Sequence, residues 1–211
     1  MDGMLPRLEE LLEAKNIFVR NRKRRRTRSL GILLYHYGLS LRKCRTILSS
    51  FEDISHEAIR KWYHKVDAIF TVDKAYRKII AVDETKVKIN RKSYILWAAV
   101  DICSWEILGV WVTKGRASLE AYSFLKYVLH KCLNQLKILV DGGPWYKPAI
   151  ERLNVEREHV TFGLRNPIEQ WFFIFKHRIK LFYRNWPHNA TVDSTQQWIN
   201  CFVSMYHFTW S

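Results

Sequence analysis

The chain has 211 residues, of which 48% are hydrophobic and 14% aromatic. That is enough apolar side chain for one packed domain and a small accessory one, and it excludes global disorder. Its net charge of +15 favours a polyanionic partner: DNA, RNA or an anionic membrane surface. No apolar run approaches the ~18–20 residues of a membrane span. No signal-peptide core follows Met1-Asp2-Gly3, and no helix has the apolar face of a membrane-surface binder. A nucleic-acid partner in a cytoplasmic setting is therefore expected.

Leu5, Leu8, Leu11 and Leu12 predict a short amphipathic helix within residues 1–19. Seven basic residues in nine follow, from Arg20 to Arg28. Like charges at that density repel, so the run is expected to be an extended arm that orders on phosphates or in a minor groove. Arg22, Arg24, Arg25 and Arg26 are its candidate DNA contacts. The plainer alternative is a solvated linker.

Residues 29–72 are expected to be an all-helical domain. Leu30, Ile32, Leu33, Leu34 and Tyr37 mark a first helix stopped by Gly38. Ser40 is placed to cap a second, with Leu41, Cys44, Ile47 and Leu48 on one face. Ser55 is placed to cap a third, striped by Ala58, Ile59, Trp62 and Val66. Three short helices with a basic last member match a helix-turn-helix, whose final helix enters the major groove. His56, Arg60, Lys61 and His64 would face the groove or phosphates, and Trp62 the core.

From residue 78 the period changes. Ile79–Ile89, Tyr94–Cys103 and Glu106–Thr113 read as strands joined by connections short enough for antiparallel hairpins. A helix over Leu119–Leu133 capped by Ser118, a strand over Leu136–Val140, a helix near Pro148–Leu153 and a strand near His159–Phe162 follow. A long helix then opens on Asn166-Pro167-Ile168, and residues 191–210 form another. This is the element order of the α/β ribonuclease-H-like fold, with a mixed five-stranded sheet. The expected segments are 1–28, the basic arm; 29–72, the helix-turn-helix; and 73–211, the ribonuclease-H-like domain with its C-terminal helix. Cys44, Cys103, Cys132 and Cys201 form no C-x-x-C pair, which disfavours a zinc site and a disulfide scaffold.

Three acids have telling addresses. Asp83 ends one apolar strand, Asp141 ends the returning strand, and Glu169 lies in the first turn of the long helix. The returning strand would run parallel to the first, so Asp83 and Asp141 would lie side by side. Converging carboxylates without His or Cys suit Mg2+, which takes hard oxygen ligands. Two such ions activate an oxygen nucleophile and stabilise a leaving oxygen in phosphodiester chemistry. Asp83 would bridge them, with Asp141 on one and Glu169 on the other. Each acid also has a plainer role. Asn166 and Pro167 would make Glu169 a capping-box residue, and Asp141 precedes a Gly142-Gly143-Pro144 turn. Glu84, on the opposite face from Asp83, is expected to be structural or exposed. Lys176, seven residues past Glu169, could steer a phosphate, and Arg178, Lys180 and Arg184 extend a basic side of the helix.

Residues Ile80 to Val87, Leu139 to Tyr146 and Arg165 to Phe172 resemble the three acidic motifs of DDE transposases. The closest group is insertion-sequence family six, especially its archaeal members. Gly38 to Lys43 and Ser55 to Tyr63 resemble that family's helix-turn-helix, which adds Arg42 and Lys43 to the DNA contacts. The resemblance implies an enzyme that binds terminal inverted repeats, cuts 3′ ends and joins them to target DNA. It also implies Asp83, Asp141 and Glu169 as catalytic and metal-binding acids, Mg2+ or Mn2+, a homodimer or larger assembly, and a place at the prokaryotic nucleoid. Twenty-seven residues separate Asp141 from Glu169, fewer than is usual in the family, which leaves Glu156 and Glu158 as rivals for the third acid. The rival functions are another nuclease of the same fold and an inactive DNA-binding derivative.

Overall fold

Caps and apolar spacing place the helices of the N-terminal third. The structure, a computed structural model, describes residues 3–159, 166–182, 186 and 189–210, without the side chains of 157–159 and 166. Packing divides it into two units: Met1–Thr71 with Gln197–Ser211, and Val72–Gln196.

In the first unit, α1 (Met4–Ala14) buries Leu8 and Leu12. It is followed by α2 (Arg25–His36), α3 (Leu41–Leu48) and α4 (His56–Tyr63). Ser40 Oγ accepts from Lys43 N–H at 3.2 Å, and Ser55 Oγ from Ala58 N–H at 3.1 Å, so both serines cap as expected. Gly38 ends α2 with φ 109°, a conformation costly for a residue with a Cβ, and Leu39 N–H closes the turn on Leu34 O. At Gly31 a Cβ would lie 3.1 Å from Leu48 Cδ1 and 3.6 Å from the Trp62 ring. Glycine there lets α2 settle against α3 and α4. Trp62 is buried, as its stripe predicts.

Two expectations need correction. The basic run is not an extended arm, because α2 begins at Arg25 and takes up its second half. Acids of the same unit offset the charge: Arg25 pairs with Glu13, Lys23 lies 3.7 Å from Glu52, and Arg24 N–H donates to Glu52 at 3.2 Å. Arg28 is buried, with its guanidinium 4.8 Å over the Phe18 ring. The C-terminal helix α8 (Val192–Trp210) was expected within 73–211, yet from Gln197 onward it packs in the first unit. The cause is aromatic: Trp198 Nε1 donates to Tyr35 OH at 3.2 Å, and Phe202 lies 5.4 Å from His36.

The second unit holds β1 (Ile79–Ile89), β2 (Lys92–Asp101), β3 (Ile107–Thr113), β4 (Lys137–Val140) and β5 (Glu156–His159). They form one five-stranded sheet in the order β3-β2-β1-β4-β5. Asn90 and Arg91 turn β1 into β2 at φ 48° and 65°, the positive pair that suits a two-residue hairpin. β1 to β3 are antiparallel neighbours, while β4 runs parallel to β1 and β5 parallel to β4. That mixed sheet and crossover order fit the ribonuclease-H-like fold. β5 begins at Glu156, earlier than expected, and residues 160–162 lie outside the described residues.

Alternation along the strands separates two faces. Ile80, Val82, Trp97, Ile138 and Val140 share a core with Phe124 and Val128 of α5 (Ser118–Leu129) and Tyr146 and Ile150 of α6 (Tyr146–Leu153). Ser118 is the first residue of α5 rather than its cap; Ala117 takes that place, and its N–H donates to Glu120 at 3.2 Å. The helix α7 (Asn166–Lys180) packs on β1 and β2 and buries Ile168, Trp171 and Phe175.

The register of β4 is pinned before either strand begins. Asn134 accepts from Arg77 N–H and donates to Arg77 O, both at 2.8 Å, and Lys137 N–H donates to Lys78 O at 3.2 Å. Asn134→Ala removes both bonds to the Arg77 backbone, and a third to Gln135 O, and is expected to lower the unfolding free energy by about 1–3 kcal/mol in urea denaturation. Hydrogen exchange of the β4 amides should accelerate in the same variant.

Candidate active site

Parallel pairing runs Ile79↔Lys137, Ile80↔Ile138, Ala81↔Leu139. Two more steps at the same offset set Asp83, within β1, level with Asp141, the first residue past β4. Their parity is shared as well. Ile80, Val82, Ile138 and Val140 face α5 and α6, so Asp83 and Asp141 belong to the opposite face, the one α7 covers. Asp83 is half-buried, and its cross-strand partner is the small Ala98. Its Oδ1 accepts from Glu84 N–H at 2.8 Å.

Asp141 is half-buried and its Oδ1 accepts from Gly143 N–H at 3.0 Å, which makes it the turn residue that Gly142-Gly143-Pro144 suggested. A Cβ on Gly143 would stand 2.6 Å from the Trp145 ring, so this turn admits only glycine without displacing the indole. Tyr146 N–H then donates to Gly143 O at 3.2 Å and opens α6.

Glu84 proves to be structural. Its side chain is only 3% exposed, so it is not a surface residue. It accepts from Tyr146 OH at 2.6 Å and pairs with Arg116 at 3.3 Å. The Arg116 guanidinium lies 4.3 Å over the Trp145 ring, and Tyr146 is wholly buried, edge-on to Trp97 at 5.8 Å. Sequence reading missed the partnership of Glu84, Arg116, Trp145 and Tyr146. The available signal was the apolar spacing of Tyr146, Ala149 and Ile150, which turns the tyrosine toward the strand that carries Glu84.

Glu169 is exposed on α7, the helix seated on β1 and β2, and Lys176 is exposed two turns further along, its Nζ 5.7 Å from the Phe172 ring. Arg178 departs from the expected basic side: it is buried, 4.8 Å over the Phe182 ring. Arg184 lies outside the described residues. Glu156 stands opposite Lys137, at the far end of β4 from Asp141, and pairs with it at 3.3 Å. The Glu158 side chain is outside those described. Among the described residues no three His, Cys, Asp or Glu side chains stand close enough together to hold a metal ion. The acids brought level are Asp83 and Asp141, with Glu169 on the helix that covers their face.

In the first unit, Arg22, Arg24, Arg26, Arg42, Lys43, His56 and Lys61 are exposed. Arg42 and His56 line one cavity of about 430 Å3 together with Arg45, Thr46 and Ser49. Arg25 is engaged by Glu13, and Arg60 by Glu57 at 2.6 Å. His64 is half-buried; burial, then the nearby Arg60, holds its imidazole below the ordinary value. It is a poor candidate for a cationic phosphate contact.

Burial, and then the Glu84 carboxylate, raises the Tyr146 phenol well above its ordinary 10.0. The folded value exceeds the unfolded one. The stabilisation is therefore complete below pH 10.0 and lost as the pH rises through the folded value. Tyr146→Phe is expected to cost about 1.5–3 kcal/mol near neutrality, as for a bond to a charged acceptor. Urea unfolding across pH should show that difference shrinking only above pH 10.0.

Residues 77–207 match the model of the DDE domain of IS240-type transposases. An uncharacterized protein of Methanocaldococcus jannaschii is 42% identical over 202 residues, covering 95% of this chain and 94% of that protein. An uncharacterized protein of Aquifex aeolicus is 35% identical over 100 residues, covering 47% of this chain and 78% of that protein. Among solved structures, the catalytic core domain of BIV integrase aligns with 60% of this chain and 81% of its own, at 15% identity and a TM-score of 0.46. With the matched segment spanning every element that carries the three acids, the chain belongs to the IS240-type family of DDE transposases.

Proposed function

We propose that the protein is the transposase of an insertion element of family six, which binds the element's terminal inverted repeats, cuts the 3′ ends and joins them to target DNA. The observation that carries this reading is the level placement of Asp83 and Asp141 on the face that α7 covers. The donor chemistry fits Mg2+ or Mn2+: the three candidate ligands are all carboxylates, the hard oxygen donors those ions take. Asp83 from within β1 and Asp141 from just past β4 would hold a pair of ions, and Glu169 would supply the third carboxylate from α7. When bound, two such ions activate the attacking oxygen and stabilise charge on the leaving one. Lys176 would meet a phosphate oxygen of the scissile strand.

The all-helical unit reads as the duplex-binding module. Capped α3 and α4 with buried Trp62 would form a helix-turn-helix, with α4 presenting His56 and Lys61 to the major groove. Arg42 and Lys43 on α3, with Arg22, Arg24 and Arg26, would bind phosphates. Arg25 and Arg60 would reach DNA only by exchanging Glu13 and Glu57 for phosphate, and half-buried His64 would shape the groove-facing helix rather than add charge. Two element ends joined in concert call for at least a homodimer. A dedicated duplex reader favours a transposase over another nuclease of this fold.

Two experiments test this. Strand transfer of DNA carrying the element's ends should require Mg2+ or Mn2+, and Asp83→Asn should lower its rate on the order of 1000-fold or more while leaving DNA binding intact. Undiminished strand transfer by that variant sinks the assignment and leaves the inactive-derivative reading. Arg24→Ala, Arg26→Ala and Arg42→Ala should each weaken binding to all duplexes and reduce the slope of log affinity against log salt by about 1.

A further inference from the structure

Glu84 and its partners do more than fill the core beneath the two strand acids. Glu84 follows Asp83 directly but points to the opposite face, and its carboxylate reaches the turn that carries Asp141 by one oxygen through Tyr146 and by the other through Arg116. Oε2 accepts from Tyr146 OH at 2.6 Å. Oε1 lies 3.3 Å from Arg116, whose guanidinium lies 4.3 Å over Trp145. The Trp145 ring in turn covers Gly143, where no Cβ fits. Gly143 N–H donates to Asp141 at 3.0 Å, and Gly143 O accepts from Tyr146 N–H at 3.2 Å. The path from Asp83 through Glu84, Tyr146 and Gly143 to Asp141 is closed by covalent and hydrogen bonds at every step. A carboxylate 3% exposed is costly to bury, and an apolar side chain would fill the space without that cost. What the carboxylate adds is a directed bond at a fixed length.

We infer that Glu84, Tyr146 and Arg116 are positioning residues that set the separation of Asp83 and Asp141 and thereby the affinity of that pair for divalent cations. The inference rests on the reading of those two aspartates as metal ligands. Residues that orient ligating carboxylates change metal affinity by about 10–100-fold when removed. A brace that serves stability alone would move the unfolding temperature and leave ion affinity where it was.

The test is calorimetric titration of the full-length chain with Mn2+, alongside thermal unfolding without metal. Wild type should bind, and Asp83→Asn should lose binding; if wild type does not bind, or Asp83→Asn binds as wild type does, the metal reading itself fails. With those controls in place, Tyr146→Phe, which removes one oxygen, should bind Mn2+ about tenfold more weakly. Equal affinity in a folded Tyr146→Phe overturns the brace and leaves the metal reading standing. Should Tyr146→Phe not fold, the decision passes to Arg116→Gln. Its side chain is 42% exposed, and its loss frees Glu84 Oε1 while leaving the phenol bond. Weakening of Mn2+ affinity by about threefold or more supports the inference; unchanged affinity overturns it.

Discussion

The pairing of β4 with β1 in one register is the constraint on which the rest depends. Side chains alternate faces along a strand, so a slip of one residue would carry Asp141 to the α5–α6 side and leave Asp83 without a level partner. A four-residue strand pairing with a longer one has few ladder bonds with which to choose its register. The choice is made outside the ladder, by the two-way bond between Asn134 and the Arg77 backbone. Arg77 is itself fixed: its guanidinium is 4% exposed, 2.9 Å from Asp101 and 2.7 Å from Glu106. The ion cluster ahead of β1 thus anchors the register that sets Asp83 level with Asp141.

Charge is distributed by the same economy of partners. The chain carries fifteen net positive charges, yet several basic side chains of the first unit are engaged by acids of that unit. Exposed pairs of this kind contribute only about 0–1 kcal/mol each. That is too little to hold a side chain against a strong competing anion. Glu13 and Glu57 therefore hold Arg25 and Arg60 loosely, in positions a phosphate could claim. Arg28 is different. It is buried against Phe18, and no exchange of partners at the surface brings it out.

What was legible in the sequence was whatever depends on near neighbours. Ser40 and Ser55 cap helices through bonds to residues three positions on, and Asn90-Arg91 turns a hairpin within itself. The alternation in Ile79–Ile89 gives both the strand and the faces of Asp83 and Glu84. What was not legible depends on partners far along the chain. Glu84 meets Tyr146 sixty-two positions away, Lys23 meets Asp53 at thirty, and Trp198 meets Tyr35 at one hundred and sixty-three. No periodicity encodes those meetings. The basic run misled because its repulsion is a local property, whereas Glu13 and Glu52, which offset it, arrive by tertiary folding. Arg178 misled for a different reason: a cation was assigned to the wet side of a helix, and it is buried over the ring of Phe182, which lies just past the helix end.

The identity of the third proposed acid turns on which element can deliver a carboxylate to Asp83 and Asp141. Glu156 is excluded by register, since β5 pairs it with Lys137 at the opposite end of β4. Glu84 is excluded by parity and is already spent on Tyr146 and Arg116. Glu169 rides on α7, which rests on the same face as Asp83 and is seated there by fully buried Ile168, Trp171 and Phe175. A helix moves as a body, because each of its side chains is fixed to a continuous ladder of backbone bonds. The distance of Glu169 from the strand acids is therefore governed by how those three apolar residues seat on β1 and β2.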